Sequence, residues 1–181
     1  MNIALAAKQT DGALDLEYAG SNATGAPILV FDRLYAMASG RMEPSWAYVT
    51  VIGGHATVSR ALCELPPGLH HENPEVPYGR QVEAGEAIKG RVRLALPLHD
   101  ASPYQHILRP APPQPTTVTE LDFRLGWCPA PSAQTMPSGI QPITWDGERL
   151  WLLPYAMVLR VQQVVTTGLP LPGLAGQTSA R

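Results

Sequence analysis

Apolar and polar residues alternate along this chain in short bursts, two residues to the period, and the bursts are separated by turn-forming residues. Leu14, Leu16 and Tyr18 alternate with Asp15 and Glu17, so one face of the segment is apolar and the other acidic, as in a strand of a sheet with one wet face. Asp11-Gly12 just before it is a two-residue hairpin signal with Asn2 to Gln9 on its far side, so residues 2 to 20 read as a hairpin. The turn-rich run Gly20-Ser21-Asn22-Ala23-Thr24-Gly25-Ala26-Pro27 then leads into a third strand over Ile28 to Tyr35.

The same grammar continues downstream. Residues 36 to 45 break the pattern and read as a loop or a short helical turn. Trp46 to Ile52 is aromatic and β-branched, Gly53-Gly54 is a hairpin signal, and His55 to Leu65 is the return strand, although Val58, Ala61, Leu62 and Leu65 also fall at helical spacing. From Glu86, the side chains of Val92, Leu94, Leu96 and Leu98 share one face, and Pro97, which has no N–H, places the end of this strand at an edge or bulge. Leu121, Phe123, Leu125 and Trp127 alternate with Asp122, Arg124 and Gly126. Cys128 is out of phase with that face and belongs on the opposite side of the sheet, which argues against a core disulfide to Cys63. Ile140 to Trp145 and Glu148 to Leu153 flank the hairpin signal Asp146-Gly147. Tyr155 to Thr167 admits a helix, but its β-branched content and the alternation of Met157, Leu159 and Val161 favour a strand. Gly168 to Arg181 has no periodicity and reads as a flexible tail. Three long proline-rich connections, over residues 66 to 85, from Ser102 to Pro115 and after Pro129, complete the chain.

One domain over residues 1–167, with 168–181 as the tail, accounts for this organisation. Sheets with one apolar face must cover each other, so the expected fold is all-β, an antiparallel two-sheet sandwich of immunoglobulin-like type, with an antiparallel barrel as the alternative.

Composition narrows the function classes. The 19 prolines and 16 glycines suit short strands and turns better than helices. With 15% charged residues and a net charge of −2, the chain has no basic footprint for nucleic acid, and no run of about 20 apolar residues for membrane insertion. The amino terminus lacks a basic n-region, so a cytoplasmic location is expected. Two cysteines are too few for a disulfide framework or a four-thiolate zinc site, and both are expected to be free.

No cofactor signature is present: Gly53-Gly54 lacks the companions of a phosphate-binding loop, and His99-Asp100 has no nucleophile motif beside it. His70-His71-Glu72 is a local cluster of metal-ligand types, and a metal-dependent hydrolase built on it is one reading. The four tryptophans lie in or beside strand signals and are assigned to packing. Loops on a rigid scaffold commonly carry binding, and within the proline-rich loops Tyr78, Tyr104, His106 and Arg109 are the side chains most like interface anchors. Leu14 to Phe31, with Ser21-Asn22-Ala23-Thr24 and Pro27-Ile28, together with Val82-Glu83-Ala84-Gly85-Glu86, resembles turn patterns of bacterial immunoglobulin-like domains, including those of the intracellular proteinase-inhibitor type. The resemblance implies a sandwich fold, and no inhibitory loop transfers to named positions. The expected function is a non-catalytic module that binds another protein through loops or a strand edge, inhibiting or neutralising that partner. A structural subunit of an oligomeric assembly is a third reading.

Overall fold

A computed structural model describes residues 1–36, 39–72, 74–104, 114–131 and 138–178. The fold is all-β with one short helix among the described residues. Strands β1 (Asn2–Thr10) and β2 (Ala13–Ser21) form the expected hairpin, with Gly12 supplying the positive φ of 70° at the turn. Strand β8 (Ala87–Ala95) pairs with the other side of β2, and the three strands make a small sheet in the order β1-β2-β8.

The larger sheet is built around β10 (Gln114–Pro129), a 16-residue strand that reaches roughly 50 Å at the usual rise per residue. Along one side it pairs with β13 (Gln163–Thr178). Along the other it pairs in parallel with β6 (His55–Arg60) over residues 120–125, then antiparallel with β3 (Ile28–Ala36) at residues 127–129. Beyond β3 the sheet continues through β7 (Tyr78–Val82) and β12 (Glu148–Leu152) to its edge strand β11 (Gln141–Trp145). The hairpin of β5 (Tyr48–Ile52) with β6 turns at Gly53-Gly54, and that of β11 with β12 at Asp146-Gly147; all four turn residues have positive φ. Short strands β4 (Arg41–Glu43) and β9 (Leu98–His99) attach to β3 and to β13.

The small sheet lies against one face of the large one, and Leu14, Leu16 and Tyr18 share a core with Val58, Val118, Leu121, Phe123 and Leu125. Tyr18 stacks on Phe123 with ring centroids 4.9 Å apart. The opposite face of the large sheet is covered by helix α1 (Tyr155–Val161), whose buried Val158 packs with Leu29, Phe31, Trp151 and Cys128. Cys128 therefore lies on the other side of the sheet from Phe123, as its phase requires, and Cys63 and Cys128 are both free thiols.

Asn22 fixes the corner where the chain leaves the small sheet. Its buried side chain donates to the carbonyls of Ala26, Val82 and Glu83 at 2.8–3.1 Å, while its Oδ1 accepts from the backbone and hydroxyl of Thr24. Its main chain bonds Gly85 and Glu86. The two turn segments quoted above for their resemblance thus meet in space, joined through one amide side chain.

Four expectations need correction. The segment from Tyr155 is not a strand throughout. Pro154 caps a helical turn, Tyr155, Val158 and Val161 repeat at helical spacing against the sheet, and Leu159 is left 47% exposed. Residues 168–178 are not a flexible tail, because they continue β13, with 168–170 against Glu120–Asp122 and 174–178 against Gln114–Val118. A register shift opposite Val118/Glu120 absorbs the segment holding Pro172 and Gly173, and β9 joins the outer side of β13 only at Gly176 and Gln177, so Pro170 and Pro172 displace no ladder bond there. Pairing is not purely antiparallel, since β6 with β10 and β9 with β13 run parallel. Tyr78 belongs to a strand inside the stretch read as a proline-rich connection.

Candidate functional site

Of the four residues singled out as anchors, His106 and Arg109 lie outside the described residues. Tyr104 is 2% exposed, so in this fold its ring is turned inward, and its hydroxyl accepts a hydrogen bond from the Glu75 amide at 3.2 Å. Burial pushes its phenol up to about 12, so it stays protonated as a tether. Two more tyrosines hold the same loop. The Tyr48 hydroxyl donates to the Glu75 carboxylate at 3.2 Å, and the Tyr155 hydroxyl accepts from the Leu65 amide at 3.0 Å. Tyr104 sits among prolines, but exposure is a tertiary property that composition does not carry.

Tyr78 is half-buried at the start of β7 and lines an open groove of about 620 Å³. One wall is the tethered loop, with Glu72, Pro74, Glu75 and Val76. The other comes from Gln141, the end of β12, Pro154 and Tyr155. Tyr35, 40% exposed, also lines it, its hydroxyl donating to the Gly40 carbonyl. Burial, with Tyr35 and Glu75 nearby, pushes the Tyr78 phenol above its ordinary value. The groove is lined by tyrosines, prolines and carboxylates, with no lysine or arginine among its described lining.

The strands beside it are tied by a charge network. The buried carboxylate of Asp32 on β3 takes Arg80 of β7 at 2.9 Å and Arg33 at 2.9 Å, and Arg33 also bonds Glu148 of β12 at 2.9 Å. Two guanidiniums against two carboxylates neutralise each other while pinning β3, β7 and β12 together. Asp32 is in phase with buried Ile28 and Val30, a polar residue on an apolar face, which is the sequence signal that marks it.

The remaining candidates are dispersed. His70, His71 and Glu72 are exposed, and among the described residues no three of His, Cys, Asp and Glu gather as a metal site requires. Asp100 is committed to the Val51 amide at 2.7 Å, while His99 Nδ1 lies 3.2 Å from the Pro97 carbonyl. Trp151 is buried beneath the Arg149 guanidinium, and Trp46, Trp127 and Trp145 are half-buried. No helix among the described residues is long and apolar enough to cross a membrane.

The least anticipated polar group is Arg60, 1% exposed at the end of β6. Its guanidinium donates to the carbonyls of Trp46, Arg91, Asp32 and Pro44 and to the Tyr18 hydroxyl. It lies in phase with buried Ala56 and Val58, so the alternation already placed it on an inward face. No family model, curated protein or solved structure matches this chain.

Proposed function

We propose that this chain is a non-catalytic protein-binding module, an immunoglobulin-like sandwich that grips an extended segment of another protein in the Tyr78 groove. The observation that carries the reading is the placement of Tyr35, Tyr78 and Tyr155 along one open groove, beside strands tied by the Asp32, Arg33, Arg80 and Glu148 charges. Aromatic side chains of this kind supply large contact area at low entropy cost and dominate binding interfaces. The carboxylates beside them suit a partner segment with apolar side chains and a basic residue.

Affinity capture from a lysate of the source, compared between the wild-type chain and Tyr78→Ala at two salt concentrations, tests this. A single stoichiometric partner held by the wild type should bind the variant roughly 30-fold more weakly. Equal retention by both, or no capture by the wild type, would overturn the assignment.

A further inference from the structure

The two outer strands of the small sheet differ in which backbone groups are already used. Leu96 N–H donates to the Gly12 carbonyl and Asn22 N–H to that of Glu86, so the even-numbered residues of β2 bond toward β8. The odd-numbered ones therefore bond toward β1, where the register pairs them with Asn2, Ala4, Ala6, Lys8 and Thr10. Ile3, Leu5, Ala7 and Gln9 are left with N–H and C=O groups directed away from the sheet. Among the described residues nothing bonds them.

Edge strands that must not pair are usually guarded by charge, proline, bulges or brevity. Three other edges here are guarded. On β8, Arg93 N–H is taken by the Ser45 carbonyl and the Arg91 carbonyl by Arg60, and Lys89, Arg91 and Arg93 project as exposed cations. Edge strand β11 has five residues and contains Pro142; β9 has two residues. Strand β1 has nine residues, an unbroken register, no proline and a single charge, Lys8.

We propose that β1 is a self-association edge: two copies of the chain pair β1 with β1, antiparallel, about a two-fold axis at Ala6, joining two three-stranded sheets into one. The argument for a second copy is self-complementarity. Centred on Ala6, the pairing sets Ile3 opposite Gln9, Leu5 opposite Ala7 and Lys8 opposite Ala4, so no like charges meet. The side chains that pack on the core, Ile3 and Leu5, fall on the same face in both copies. The two lysines each keep Asp15 as their cross-strand neighbour on β2. A net charge of −2 per chain gives little long-range repulsion. This inference is independent of the Tyr78 groove.

The test is the solution mass of the full chain by sedimentation over a wide concentration series, with two sets of variants. Wild type should move from monomer to dimer, with amide-exchange protection of Leu5, Ala7 and Gln9 rising in step. Ala7→Pro removes an outward donor from each copy without touching a bond to β2, and should raise the dimer dissociation constant at least roughly tenfold. Ala6→Lys and Ala6→Glu should each weaken self-association, and mixing the two should restore it as a heterodimer. A wild type that stays monomeric at every concentration would overturn the proposal and leave the edge for a strand of another protein. So would a dimer indifferent to Ala7→Pro, or Ala6 variants that do not re-associate on mixing.

Discussion

Strands β1 and β8 flank the same strand, β2, and are equally long, yet the chain finishes one and leaves the other bare. On the β8 side, Arg60 takes the outward Arg91 carbonyl and Ser45 the outward Arg93 N–H, and Arg91 and Arg93 hold the Asp15 carboxylate at 2.9–3.0 Å. Asp15 is consequently 5% exposed on a face that alternation alone would call wet. On the β1 side no backbone hydrogen bond from elsewhere reaches the outward groups among the described residues, although β13 passes close to the strand. An edge is closed by hydrogen bonds from distant segments, and among the described residues those bonds reach β8 and not the outward groups of β1.

Removing the closure should have the largest effect. Arg60→Leu takes the donor from the carbonyls of Trp46, Pro44 and Arg91 and from the Tyr18 hydroxyl, while that of Asp32 keeps Arg33, and should cost about 3–5 kcal/mol in urea unfolding, seen as a lower midpoint at constant slope. Arg60→Lys should recover less than half of that, because one ammonium cannot span the fan of acceptors a guanidinium reaches. A loss under about 1 kcal/mol would mean that the edge is held by packing alone.

Next is the tie at the start of β8. Asn22→Ala leaves the carbonyls of Val82 and Glu83 without their side-chain donor, that of Ala26 keeping the Thr24 hydroxyl, and should destabilise by about 2–3 kcal/mol. Asn22→Asp should be worse, since it aims a carboxylate at the same carbonyls.

Proline substitution compares the two edges directly. Arg93→Pro loses the bond to Ser45 and the ion pair with Asp15, and should cost about 2 kcal/mol. Ala7→Pro, where the N–H has no partner in a single copy, should cost less than about 1 kcal/mol of monomer stability. Equal costs would erase the distinction between the edges.

The gentlest probe uses no substitution. In dilute protein the amides of Leu5 and Ala7 should exchange with solvent far faster than that of Arg93. The Cys128 thiol, fully buried and held up to about 12 by that burial, should stay unmodified while the β1 edge opens and react only when the sheets part. Labelling of Cys128 at the rate of β1 amide exchange would show that the large sheet opens together with the β1 edge.

Local sequence determined what local physics can determine. Period-two alternation located β2 and the central part of β10, and Gly53-Gly54 and Asp146-Gly147 set two hairpins because few residues other than glycine, asparagine and aspartate accept their positive φ. The phase of Cys128 put it on the far face of the sheet. Only the tertiary structure decided the rest. Residues 168–178 carry two prolines and no period, and became strand because the first residues of β10 offered them a free ladder. Tyr155–Val161 alternates well enough for a strand, and became helix because the uncovered face of the large sheet is met by residues at helical spacing. Tyr78 and Tyr104 look alike among their prolines, yet one lines a groove and the other is a buried tether. Alternation records which residues need burial, but the identity of the covering segment is fixed by contacts between residues far apart in the chain, and no local pattern encodes them.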